Sequence, residues 1–237
     1  MKKIFLFALV LASAGLKAQH HKFEEFMPQS VLGIGVSFQN FDGLNSRIAN
    51  YEQYKQLKDQ TGTLQLGWLK ERKRIVSGFN LSGGTGLNGS RGTKSSNMRY
   101  IGLGGDIGYS VIKNKQSMLY PFAGLGYQWY QARFYKDNSS VPFDDVLQSP
   151  NVQNDISALG FKNEFFTYRL GIGIILTSPK HPSGGIGLQA GYSGSFQERA
   201  WTGNDNQTLG NAPKDGLSQF FISLVLTHKP MMMMKHH

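Results

Sequence analysis

The 237-residue sequence contains no cysteine. No disulfide framework is possible, and no thiol is present to carry a lipid anchor, so stability must come from packing or from a membrane. Acids are scarce too: 15 Asp and Glu stand against 25 Lys and Arg, for a formal net charge of +10. Beyond the first 19 residues no apolar run approaches the roughly 20 residues that a membrane-spanning helix requires. No serine sits in a nucleophile-elbow context. The six histidines, His20, His21, His181, His228, His236 and His237, fall at the termini or in a short turn. A catalytic activity is therefore not expected, nor is a cofactor.

The first residues, "MKKIFLFALVLASAGLKAQ", have the build of a secretory signal: Lys2 and Lys3, then the apolar run Ile4 to Leu11, then Ala18 before an expected cut ahead of Gln19. Cleavage there removes Lys2, Lys3 and Lys17 and no acid, taking the charge from +10 to +7. The expected organisation is a signal at 1–18, a periplasmic segment at 19–30, one domain at 31–228 and a periplasmic tail at 229–237.

What the chain has in abundance is period-2 alternation. In "YIGLGGDIGYSVI", residues 100–112, the residues Ile101, Leu103, Ile107, Tyr109 and Val111 alternate with Gly102, Gly104, Asp106, Gly108 and Ser110. The pattern recurs near 31–40, 62–70, 74–83, 98–112, 118–134, 164–177, 184–197 and 215–228. Alternation of this kind reads as strand. The links take turns: short ones ("ERK", "KNKQS", "SPKHPSG") and long ones centred on 41–61, 84–97, 135–163 and 198–214. Short turns on one rim and long loops on the other, with an oily outer face and a small polar inner face, predict an all-β, eight-stranded antiparallel up-and-down transmembrane β-barrel. Trp68, Tyr100, Tyr127, Trp129, Phe165 and Phe166 fall near segment ends and are expected in its interfacial girdles.

These eight segments, the Gly-rich "GLGGDIGY" and "YPFAGLGYQWY" runs and the turn–loop rhythm resemble the small outer-membrane barrels of Gram-negative bacteria, of the OmpA transmembrane domain and OmpX type. The resemblance spans nearly the whole mature chain and rests on pattern, so it implies fold and location rather than activity. It departs from OmpA in that no peptidoglycan-binding domain is expected after the last strand.

Some motifs look like chemistry. "GTGLNG", 84–89, matches GxGxxG, but "SRGTKSSN" follows it rather than a helix that would receive a pyrophosphate; its glycines are expected in a flexible loop. "GIGLQA", 185–190, lies within a strand segment. The Met/His-rich end "HKPMMMMKHH" has soft donors for Cu(I) but reads as a tail. No metal site is expected.

Extending the alternation inward predicts a lumen polar network of Gln65, Asn80, Asp106, Gln128, Arg169 and Gln189. Asp106 and Arg169 are the only charges placed deep in the span, and they are expected to pair. Inward glycines leave space for Phe122, Tyr130 or water. The periplasmic rim is expected to be basic through Lys70, Arg72, Lys73, Arg74, Lys113, Lys115 and Lys180, with Lys229 and Lys235 beyond. Such a rim suits lipid headgroups or an acidic periplasmic protein, not nucleic acid. In the loops, Leu44, Ile48, Tyr51 and Leu57 suggest a short helix over the barrel mouth behind a Ser or Asn cap. Asp137, Asp144, Asp145 and Asp155 offer a weak divalent-cation possibility. Tyr51, Tyr54 and Trp201 are candidate extracellular contacts.

The expected role is a non-catalytic structural or interaction barrel, or an accessory subunit of an outer-membrane complex. Its partners would be outer-membrane lipid and an outer-membrane or periplasmic protein. The alternative is a narrow pore or small-ligand carrier gated by Asp106 and Arg169.

Overall fold

A computed structural model describes residues 28–88, 94–112 and 116–229. The signal at 1–18, most of the segment 19–30, the bases Lys113, Lys115 and Lys235 and the Met/His tail lie outside the described residues. No described helix is long and apolar enough to cross a membrane; the strands make the crossing.

Eight long strands form the wall: β1 (Gln29–Gln39), β2 (Gln60–Arg72), β3 (Ile75–Asn88), β4 (Ser95–Tyr109), β5 (Ser117–Tyr135), β6 (Leu159–Ser178), β7 (His181–Ser195) and, last in the chain, β11 (Ser218–His228). Each pairs antiparallel with its chain neighbour. β11 returns to β1 from Ser30↔His228 to Gln39↔Gln219, which closes the sheet on itself. Closure leaves no unpaired edge within the wall, as a lipid environment requires. Three two-residue strands, β8 (Arg199–Ala200), β9 (Thr202–Gly203) and β10 (Lys214–Asp215), lie in the loop between β7 and β11. Helix α1 (Asp42–Ala49) follows β1, and α2 (Phe143–Gln148) and α3 (Pro150–Ile156) sit between β5 and β6.

The outward face is a continuous apolar belt. Ile34, Ile101, Ile107 and Phe220 are 60, 60, 62 and 61% exposed, and Leu64, Leu81, Leu170, Ile172 and Leu188 line the same surface. Residues of this kind exposed on every strand define a surface made for lipid. Trp68, Trp129 and Phe166 are exposed near its edges, as the alternation predicts. Tyr100 and Phe165 are not: both are buried, 7 and 0% exposed, because they share the inward phase of Gly102 and Thr167. The long-loop edge of the belt carries an aromatic run in their place. Phe196 stacks on Phe166 (5.2 Å) and meets Tyr168 edge-on (5.3 Å), and Tyr192 packs against Phe220 (5.0 Å).

Alternation found the strands but not their ends. The segment 84–97, expected as a long loop, is mostly paired: β3 and β4 continue to Asn88↔Ser96. The "GTGLNG" motif thus begins inside a strand rather than in a flexible loop. β5 and β6 likewise run past the belt to Phe134↔Leu159. Beyond the lipid there is no apolar side to alternate with, so paired polar backbone gives no periodic signal.

Two positions show how tight the interior is. A Cβ at Gly171 would strike the ring of Phe122, and one at Gly173 would strike that of Tyr120. At these two glycines an aromatic ring occupies the space that the sequence suggests.

The β2–β3 turn is two residues long, and both Lys73 (φ 50°) and Arg74 (φ 72°) lie in the left-handed region. A hairpin of this type favours Asn or Gly there. Lys73→Asn is expected to stabilise the barrel by about 0.5–1 kcal/mol, raising the midpoint of urea unfolding from lipid vesicles; a lowered midpoint would contradict the turn geometry.

Candidate functional site

Three layers fill the barrel along its axis. At the long-loop mouth is an apolar plug. α1 lies across the opening with Leu44 and Ile48 buried, and Leu57 joins them from the following loop. Phe41 is wedged between Tyr130 (5.2 Å, edge-on) and Trp201 (5.4 Å, edge-on) and stacks on Phe165 (6.1 Å). Met98, Tyr100, Phe134 and Leu217 complete the cluster. The expected helix over the mouth is present, but its cap is different. Phe41 occupies the N-cap without a side-chain hydrogen bond.

The cap comes from the segment that leads into β11, the strand paired with β1. Asp215 Oδ1 accepts from the Gly43 N–H (2.7 Å), and Oδ2 accepts from the Leu44 N–H (2.9 Å) and from Trp201 Nε1–H (2.6 Å). One carboxylate thus satisfies two orphan amides at the positive end of α1 and the indole that packs beside it. It ties the first loop to the last. Burial pushes the Asp215 carboxyl above the usual carboxylate range, over the opposing pull of the Trp201, Gly43 and Leu44 hydrogen bonds, and Asp42 adds to the rise. A raised folded value means that the linked stability is present at low pH and is lost as pH rises through that value.

Trp201 is corrected by this arrangement, whereas Tyr54 is half-buried. As contact candidates they needed exposure; Trp201 is 1% exposed, and Tyr54 packs on Phe134 at 6.4 Å. A large ring finds more contact area within the plug than in water. Tyr51 remains outside, 51% exposed.

Below the plug lies a polar layer. Tyr130 O–H donates to Gln128 Oε1 (2.7 Å), and Gln128 Nε2 reaches Ser193 Oγ and Gln219 Oε1 (both 3.5 Å). Gln219 Nε2 donates to Gln39 Oε1 (3.4 Å), which also accepts from Ser37 Oγ (2.9 Å), and Gln39 Nε2 donates to Thr61 Oγ1. Next comes the buried ion pair: Arg169 Nη1 to Asp106 Oδ2, 3.0 Å, with Asn80 Nδ2 donating to the same oxygen at 2.9 Å. The Arg169 guanidinium also lies over the rings of Phe221 (5.0 Å) and Phe122 (5.8 Å). Gln189 Nε2 donates to the Tyr120 hydroxyl oxygen at 2.6 Å, and Gln65 lines the free space between these groups. All six lumen residues read from the alternation face inward. The reading missed Gln39, Gln219 and Ser193, which share the inward phase near strand ends, and Asp215, whose role depends on a contact with α1 far away in sequence.

At the short-turn end Val31, Leu69, Val76, Tyr120, Phe122, Ile175 and Val225 form a second apolar cluster. Among the described residues, two voids between the layers measure about 40 and about 20 Å³. By the usual requirement of 10–15 Å³ per water centre they hold a few waters at most.

The short-turn rim carries Lys70 and Arg72 at the end of β2, Lys73 and Arg74 in the turn and Lys180 in the β6–β7 turn. Arg74 Nη1 donates to the Tyr109 hydroxyl at 3.2 Å. The loop carboxylates do not converge: Asp155 pairs with Lys136 (3.1 Å), Asp137 accepts from the Ser139 N–H (2.9 Å), and among the described residues no three metal-ligating groups cluster.

No family model matches the chain, and no curated protein does. Solved structures of similar build are outer-membrane barrels. Ail of Yersinia pestis, in complex with the heparin analogue sucrose octasulfate, is 12% identical over 86% of this chain and 100% of its own (TM-score 0.48). Neisserial surface protein A is 9% identical over 86% and 97% (TM-score 0.47). OprG of Pseudomonas aeruginosa is 10% identical over 86% and 96% (TM-score 0.45). The likeness is one of architecture; the reading of the interior rests on the distances above.

Two outcomes test the interior. Arg169→Ala strands a buried carboxylate and is expected to cost about 3–5 kcal/mol in vesicle unfolding, whereas Asp106→Leu with Arg169→Met costs markedly less; equal losses would show that the pair is not coupled. Asp215→Ala is expected to weaken plug closure by about 2 kcal/mol. In a background with Trp68 and Trp129 replaced by Phe, Trp201 emission should shift red and proteolysis at 40–59 should accelerate while the barrel stays folded. Unchanged emission and cutting would mean that the carboxylate does not hold the plug.

Proposed function

We propose that the protein acts in the outer membrane as a closed, non-catalytic structural or interaction barrel, long loops outside and short turns in the periplasm. Its working surface is then a rim rather than a conduit. The observation that carries this reading is the threefold filling of the bore: apolar plug, hydrogen-bonded polar layer with the Asp106–Arg169 pair, and apolar base. Eight strands leave a lumen that side chains can fill, and here they do. The orientation follows from the asymmetry of the links, since short turns belong on the periplasmic side of such barrels.

The loop face offers contacts. Tyr51 stands out beside the plug, and α2 presents Phe143 and Leu147, 74 and 64% exposed, one turn apart with Asp144 and Asp145 between them. Apolar side chains held out on a short helix at the far end of the longest loop suit attachment to another protein. Loops carry function in this fold while the wall is occupied with the membrane.

The pore reading predicts a different behaviour, and planar bilayer recording separates the two. The closed barrel is expected to give no stable unitary conductance, and Asp106→Asn and Arg169→Gln are expected to leave the baseline silent. A steady unitary current that changes with either substitution would overturn the closed reading and favour a gated pore.

A further inference from the structure

The strand register gathers cations on the outer flank of the barrel, just above the apolar belt at its long-loop edge. On β5, Gln131 stands directly opposite Arg99 of β4 on one side and Lys162 of β6 on the other. Arg133, two residues along the same face, lies diagonal to both. Neighbouring strands are about 4.8 Å apart, so Arg99 and Lys162 lie roughly 10 Å apart across Gln131. Arg199 of β8 adds a fourth base, paired with Glu164 at 3.0 Å. Among the described residues no acid forms a salt bridge with Arg99, Arg133 or Lys162; Lys162 Nζ donates to the Asn204 carbonyl.

Their height on the barrel matters as much as their number. Trp129 lies two residues below Gln131 on the same outward face, and Ile101 two residues below Arg99. Two residues of strand rise about 7 Å, or about 5 Å along the normal of a tilted wall. The cations therefore sit one short step above an aromatic and apolar surface, at the depth where lipid phosphates lie. Beside them opens a groove of about 540 Å³ lined by Trp129, Lys162, Glu164, Arg199 and Asn206. Like charges on adjacent strands repel and weaken a sheet unless anions are supplied from outside. The acid on the same face of β6, Glu164, is already paired with Arg199.

We propose that Arg99, Arg133 and Lys162 form a binding site for the phosphate groups of an outer-leaflet lipid, whose acyl chains lie on the Ile101–Trp129 surface. The site faces along the membrane plane, so its natural occupant is a membrane component and not a soluble one. Guanidinium groups take phosphate oxygens two at a time, and the ammonium of Lys162 adds a point charge at the groove mouth. The inference rests on the outer face of the wall and is independent of whether the lumen conducts.

Native mass spectrometry of the full chain in mild detergent, titrated with bisphosphorylated lipid A, tests it. The protein is expected to retain bound lipid, and Arg99→Gln/Arg133→Gln/Lys162→Gln to bind about a hundredfold more weakly. Lipid A stripped of its phosphates should bind the unaltered protein as weakly. Arg72→Gln/Lys73→Gln/Arg74→Gln, on the other rim, should bind normally. An unheated gel shift checks that each variant is folded, and single substitutions at Arg99 and Arg133 serve if the triple variant does not fold. Equal binding by the first triple variant, or by dephosphorylated lipid, would overturn the proposal. So would full displacement of the lipid by millimolar inorganic phosphate, which would mark a site for free anions.

Discussion

The structure depends on one requirement: in lipid, every backbone amide and carbonyl must find its partner within the protein. A helix meets this locally, and no described helix here is long or apolar enough to cross. The chain meets it by closing a sheet, and the seam between β1 and β11 is where success is decided. There the first and last strands pair without interruption from Ser30↔His228 to Gln39↔Gln219. The fold cannot be completed until the last strand is in place, so the wall is a cooperative unit.

Closure with eight strands fixes the bore, and the bore fixes the inner residues. Small inward positions alternate with large rings that lie across them, as Phe122 does over Gly171 and Tyr120 over Gly173. The rings fill the base, amides and hydroxyls fill the middle, and the folded-over first loop fills the mouth. Among the described residues, charge enters the interior of the span as a compensated pair, Asp106 with Arg169. The most economical piece of the assembly is Asp215, a single carboxylate that caps a helix and anchors an indole drawn from opposite ends of the chain. The inside thus explains why the wall holds its shape, and the outside, through its loops and its cationic flank, is left to meet other molecules.

Much of this was legible in the sequence because a two-sided wall imposes period 2 on every strand. Gln65, Asn80, Asp106, Gln128, Arg169 and Gln189 were placed inward by parity alone, and their parity is what the wall preserves. Parity also corrects the two residues misread as girdle: Tyr100 and Phe165 sit near segment ends but on inward positions, and position in phase outweighs position along the strand. Strand ends beyond the lipid were not legible, since paired polar backbone at 84–88 and 95–97 has no apolar partner face to alternate with. The plug was only half legible. The apolar spacing of Leu44, Ile48 and Leu57 announced a covering helix, but its cap comes from a residue more than 170 positions away, a contact that local pattern does not encode. The same holds for Arg99, Arg133 and Lys162, which are scattered in sequence and become one surface only once the register is known.

The absence of cysteine provides the most direct test of a lipid-facing wall around a filled bore, because every introduced thiol is unique. Spin labels placed singly at Ile101, Leu103 and Ile107 and at Ser82, Ser193 and Ser223, in protein reconstituted into bilayers, would be compared for collision with oxygen and with a water-soluble nickel complex. The account predicts oxygen access and nickel exclusion at the first three, and immobile labels reached by neither reagent at the serines. Nickel access at the serines would mean a water-filled lumen, and nickel access at Ile101, Leu103 and Ile107 would mean that the belt does not face lipid.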